Sequence, residues 1–145
     1  MSDITHDLTS GTEAFVAEVG PLLRGEVAAL HDGDLAPRLA LWSRRDPVTL
    51  FGAWFTARGW SAVDAAFARL ANTFRSSESL EYEVVAAGVS GDLGYVVAFE
   101  HSSVRTVDGQ RSYTLRVTTV LRREEGAWKV VHRHGDDVAV IGPET

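Results

Sequence analysis

From Leu80 onward the chain carries the two-residue period of β-strands, broken only by short turn signals. That pattern admits little except an antiparallel meander. Leu80 to Ala87, Gly94 to Thr106, Gln110 to Arg123 and Ala127 to Asp136 read as four strands, linked at Ser90-Gly-Asp-Leu-Gly94, Asp108-Gly109 and Glu125-Gly126. The last two strands are apolar on both faces: Leu115, Val117 and Leu121 alternate with Val120, and Val130 stands beside Val131. A sheet half covered by helices keeps one face polar, so the second face calls for a cover. With no helices left in the sequence, a second copy is the simplest one, and a homodimer through the sheet is expected.

The first half carries a helical period instead. Met1 to Gly11 is polar and expected to be a flexible tail, and Gly20-Pro21 is expected to interrupt a helical turn over Thr12 to Val19. Leu23, Val27 and Leu30 then share one helical face as far as Asp32-Gly33-Asp34, and a short helix from Leu35 to Trp42 follows. Asp46-Pro47 breaks it, Val48 to Phe51 is a short strand, and Gly52 to Gly59 is a loop rich in aromatic residues and glycine. Ser61 with Asp64 resembles a capping box opening the clearest helix, on which Val63, Phe67, Leu70 and Phe74 recur at one face. The whole, residues 1–145, reads as one domain.

Composition narrows the function classes. With 20 acidic against 14 basic residues the formal charge is −6, so a phosphate backbone is repelled and no nucleic-acid partner is expected. Without cysteine, thiolate catalysis and cysteine-ligated zinc are excluded. The acidic start lacks the cationic region and apolar core of a signal peptide, and no segment has the apolar length of a membrane span. A cytoplasmic protein with no membrane partner is the expectation.

The order helix, helix, short strand, helix, four meandering strands resembles the nuclear transport factor two-like superfamily. His31-Asp-Gly-Asp34, Asp46-Pro-Val-Thr-Leu-Phe-Gly52, Gly91-Asp-Leu-Gly-Tyr95, and Leu115-Arg-Val-Thr118 leading to Gly126-Ala-Trp-Lys-Val-Val-His-Arg-His134 look like its SnoaL-like branch. The resemblance implies a cone-shaped α+β fold: a curved, mixed, mostly antiparallel sheet with three main helices on its concave face. It also implies a small-molecule pocket, in some members a cofactor-free isomerase, dehydratase or cyclase and in others a noncatalytic binding or assembly domain. Ketosteroid isomerases of this superfamily use a tyrosine in the first helix region, and Pro21 to Asp34 contains none.

Within such a cone Trp42, Phe51, Trp54, Phe55 and Trp60 fall at the lid, where ring faces grip a hydrophobic small molecule or simply pack the core. Glu100, flanked along its face by Val96 and Ala98, is the candidate general base, or else the carboxylate of an ion pair with Arg116 or Arg105. Arg116, His132 and His134 are candidate cavity-wall residues, with His134 or Asp136 as the acid. His132, His134 and Asp136 share one strand face and also read as structural hydrogen-bonding groups; as metal ligands they would fan out along a straight strand, and no metal is expected. The two strand faces are alike in hydrophobicity. Reversed parity would send Arg116 to the interface and bring Val117 and Thr119 into the cavity.

Overall fold

The computed structural model describes residues 2–53 and 55–138. In chain order it forms α1 (Ser2–His31), α2 (Ala36–Leu41), β1 (Thr49–Phe51), β2 (Thr56–Arg58), α3 (Trp60–Thr73), β3 (Phe74–Ser90), β4 (Leu93–Thr106), β5 (Gly109–Glu124) and β6 (Ala127–Asp137). The strands make one sheet in the order β2-β1-β6-β5-β4-β3, in which only β1 and β6 run parallel. This is the α+β cone architecture that the element order implies, a curved and unclosed sheet with helices against its inner face.

Three local expectations fail. Pro21 does not break α1, which runs through it. Phe15, Val19, Leu23, Val27 and Leu30 are all buried along one side of that helix, and continuous burial outweighs the single backbone bond that proline cannot donate. The capping box is absent too: Gly59, at φ +86°, is the N-cap of α3, and no side chain of the helix caps it. Asp46 serves that end from a distance, its carboxylate accepting a bond of 2.8 Å from the Trp60 amide. The expected loop from Gly52 to Gly59 contains β2, which pairs with β1.

Curvature comes from interruptions in register. β3 is bulged at three points, and β6 carries one extra residue: Val120 lies opposite His132 while the next position, Leu121, lies opposite Val130. Val131 is therefore a bulge, and it reverses the facing of everything after it. Up to that point Trp128 and Val130 face inward; beyond it the inward positions are Arg133 and Gly135, opposite Thr119 and Val117.

The core lies between α1, α3 and the inner sheet face. Trp42 packs edge-on to Phe67 at 5.0 Å and Phe15 edge-on to Trp128 at 4.9 Å. Gly94 is required there, because a Cβ at that position would stand 2.6 Å from the Phe15 ring. Phe67 is fully buried, and Phe67→Ala is expected to cost about 3 to 5 kcal/mol in urea unfolding. A loss below about 1 kcal/mol would take α3 out of the core.

Candidate functional site

The inner sheet face carries charge where a core is expected to be apolar. Glu100 on β4 is 1% exposed and Arg133 on β6 reaches it with two parallel bonds, Nη1 to Oε2 at 2.7 Å and Nη2 to Oε1 at 2.8 Å. A second buried pair stands beside it. Glu26 on α1 is held by Arg38 on α2, through Nε to Oε2 and through Nη2 to Oε1 at 3.2 Å, and the Arg38 guanidinium lies 5.2 Å from the centre of the Phe67 ring. Burial by itself pushes the Glu100 carboxyl up; the charge and hydrogen bonds of Arg133, with Arg38 and His31 behind them, outweigh it and hold Glu100 below the usual carboxylate range. It is ionised and fully engaged.

His31, the last residue of α1, completes the group. It is 4% exposed, its Nε2 lies 3.1 Å from the Tyr113 hydroxyl on β5, and its ring packs edge-on to Phe74 at 4.7 Å. Desolvation, aided by Arg38 and Arg133 and opposed by Glu100, lowers its pKa to about 4, so the ring is neutral at pH 7. Burial first, then Glu100, raises the Tyr113 hydroxyl to about 12. Among the described residues His31 Nδ1 is buried without a hydrogen-bond partner, as is the Tyr82 hydroxyl on β3, opposite Glu100.

These groups form the floor of a two-part hollow. The inner chamber, of about 70 Å3, is walled by His31, Arg38, Glu100, Tyr113 and Arg133 together with Leu30 and Leu115. Outside it lies a cleft of about 500 Å3, with Ala66, Leu70 and Phe74 on its wall and Arg69, Asp108, Arg111 and Asp137 around it. Phe55, Leu70, Phe74 and Tyr113 line both, so the two lie side by side.

The sequence-based candidates divide between the two faces. Glu100 and Phe55 belong to the hollow. Arg116, His134 and Asp136 do not converge on Glu100 as expected. Register pairs Arg116 with Asp136 and Thr118 with His134 on the outer face, while Val117 and Thr119 face inward, both nearly inaccessible. His134 Nε2 lies 3.1 Å from Asp136, and Arg116 lies 3.8 Å from the same carboxylate. His132 is also outward, with Nδ1 2.7 Å from the Thr49 hydroxyl and its ring 5.2 Å from Phe51; desolvation and His134 lower its pKa. Phe51 thus stands on the outer face rather than over the hollow, and Trp42 is core. Trp60 packs towards Phe67 with Arg44 over its ring, and lines neither part of the hollow. Trp54 lies outside the described residues. Among those residues no group of three or more histidine, aspartate or glutamate side chains is gathered as a metal site, and no helix is long and apolar enough to cross a membrane.

Arg133, Glu26, Arg38, His31 and Tyr113 are the residues that the sequence reading missed. Glu26 left a trace: it sits inside the apolar arc made by Leu23, Val27 and Leu30, where an unpaired charge is costly and a partner is implied.

Comparison with known proteins places the chain. Among curated proteins none matches in sequence. A nuclear transport factor 2-like superfamily protein from Salmonella enterica superposes with a TM-score of 0.77 at 18% identity, over 90% of this chain and 96% of that one. An NTF2-like family protein from Streptomyces avermitilis, provisionally described as a dehydratase, gives 0.71 at 21% over 89% and 99%. A ketosteroid isomerase-like protein from Erwinia carotovora atroseptica gives 0.70 at 14% over 86% and 97%. At these identities the likeness is one of fold. The SnoaL-like domain model matches residues 22–140, most of the chain and all of its sheet, and the chain therefore belongs to the SnoaL-like domain family.

Proposed function

We propose that this chain binds a small, largely apolar molecule in the cleft, with a polar end at the chamber, and acts on it by proton transfer of the kind used in isomerisation, dehydration or cyclisation. The observation that carries the reading is an apolar-walled cleft set beside a small polar chamber, with Phe55, Leu70, Phe74 and Tyr113 lining both. His31 and Tyr113 are the groups we assign to the chemistry. A buried neutral imidazole can hand over or take up a proton at one nitrogen while a hydroxyl holds the other. Glu100 is less suited to act as base, since Arg133 occupies both its oxygens. The dehydratase and ketosteroid isomerase-like descriptions of two structural neighbours point to the same class of chemistry.

The test is to close the cleft without touching the chamber. Thr73 is exposed at the cleft wall, and Thr73→Trp is expected to abolish calorimetric binding of 2-acetylnaphthalene, an apolar ketone of suitable size, while leaving the melting temperature close to wild type. Unchanged binding in Thr73→Trp would move the ligand elsewhere.

The outer sheet face supports a homodimer. Along β4 it presents Leu93 and Tyr95, 54% and 44% exposed, followed by Val97 and Phe99, with Val120 beside them on β5. Sedimentation velocity at micromolar concentration is expected to give twice the single-chain mass, reduced to the single-chain mass by Tyr95→Arg. A wild-type monomer would remove this assignment.

A further inference from the structure

Resting on the cleft as binding site, we propose that one end of it reads a carboxylate, so that the ligand is an apolar molecule with an anionic substituent outside the chamber. The readers are Arg69 and Arg111, which line the cleft and not the chamber. Helical period places Arg69 on the same face of α3 as Ala66, Leu70 and Thr73, all of which line the cleft. Strand alternation places Arg111 on the inner face of β5 with Tyr113, opposite the buried Val104. The two arginines therefore line one hollow from different walls, helix and sheet.

Their position along the cleft follows from the backbone. The Thr73 carbonyl accepts a bond of 3.0 Å from the Val107 amide, which ties the end of α3 to the turn between β4 and β5. Arg69 lies one helical turn before Thr73, and Arg111 lies two residues after Gly109, the first residue of β5, so both stand at the turn end of the cleft. Asp108 is in the turn itself. Asp137 is at the other end, paired in register with Leu115, which lies about 14 Å along β5 from Arg111. Of the charged residues that line the cleft, the turn end thus holds two cations against one anion, on a chain whose formal charge is −6.

Availability decides which charge is read. Arg38, Arg122 and Arg133 are each committed to a carboxylate, whereas among the described residues neither Arg69 nor Arg111 has an ion pair or a side-chain hydrogen bond. Two uncommitted planar forks suit a carboxylate, which can accept from both at once. An ammonium group has the weaker claim. Asp108 and Asp137 carry short side chains at opposite ends of the cleft, too far apart to meet on one cation, and at the turn end Asp108 is outnumbered. A cationic patch on an acidic protein also gathers anions from solution.

Derivatives of 2-acetylnaphthalene substituted on the far ring test this: 6-acetyl-2-naphthoate, the carboxamide of nearly the same shape, and the corresponding aminomethyl compound. Calorimetry on the intact protein at pH 7 and low salt is expected to show the carboxylate bound about tenfold tighter than the carboxamide, with the amine weakest. Both arginines are exposed, so the double variant Arg69→Gln/Arg111→Gln is expected to fold and to bring carboxylate and carboxamide to within about twofold of each other. Equal binding of carboxylate and carboxamide in the wild type, a preference that survives in the double variant, or tightest binding of the amine overturns the carboxylate subsite while leaving the cleft intact. Failure of the parent ketone and all three derivatives to bind overturns the cleft reading as well.

Discussion

Arg133→Met is expected to lower the unfolding free energy by about 3 to 5 kcal/mol, the cost of leaving one partner of a buried ion pair uncompensated. Glu100 is 1% exposed and its two oxygens rest on the two terminal nitrogens of Arg133, so no water can take over at once. The double variant Arg133→Met/Glu100→Leu is expected to recover most of that loss, because removing both charges also removes their desolvation cost. Arg116→Ala makes the contrast. Its contact with Asp136, at 3.8 Å, is exposed on the outer face, and its loss is expected to change stability by less than about 0.5 kcal/mol. Urea unfolding of the four proteins at pH 7 reads all of this. A loss in Arg133→Met no larger than in Arg116→Ala would mean that the facing of β6 beyond Val131 is wrong.

Acid is expected to destabilise the protein through His31 before it reaches the carboxylates. The ring titrates near 6.5 when unfolded and near 4 when folded, so between those values the unfolded chain binds more protons and stability falls with pH. The sign follows from a lowered histidine pKa: the contribution is complete above about pH 6.5, is lost steadily down to about pH 4, and is constant below that. Integrated, it amounts to about 3 kcal/mol. Burial of the ring sets the shift; Glu100 and Asp32 oppose it, Arg38 and Arg133 add to it, and Tyr113 stands at Nε2. Three other groups act in the same direction. His132, on the outer face, also has a lowered pKa, and Glu100 and Glu124, each held below the usual range by an arginine, add a loss in more acidic solution. All three remain in His31→Phe, so the difference between the two proteins isolates His31. Denaturant unfolding at pH 7, 5.5 and 4 is expected to give a much shallower decline for His31→Phe than for wild type. Parallel declines would mean that the wild-type ring is protonated in the folded state.

Much of the architecture is legible in the residues. The turn pairs Asp108-Gly109 and Glu125-Gly126 sit at the tips of the hairpins, and each long strand lies within a few residues of its expected span except β3, which begins at Phe74 rather than Leu80. The reason for that exception is composition: Arg75 to Ser79 is polar and carries no two-residue period, and its pairing is dictated by the β4 edge rather than by its own side chains. The site was legible only in part. Glu100 declares itself as an acid among Val96 and Ala98, whereas its partner does not, because a strict alternation along β6 puts His132 and His134 on the same face as Val130 and sends Arg133 outward. Nothing in Val130-Val131 marks the bulge that reverses this, since bulge positions without glycine leave no compositional trace. His31 was invisible for a different reason. Its partner, Tyr113, is 82 residues away in sequence, and only the closed cone brings them together.

The inner face of the sheet, and not the outer row of His132, His134 and Asp136, is the binding face in this account. Backbone amide NMR of the isotope-labelled protein, titrated with 2-acetylnaphthalene, tests that most directly. The predicted result is a set of saturable shifts at Phe55, Leu70, Phe74 and Tyr113, reaching His31 at the chamber, with Thr118, His132 and His134 unmoved. Shifts confined to Thr118, His132 and His134, with the cleft residues silent, would contradict it.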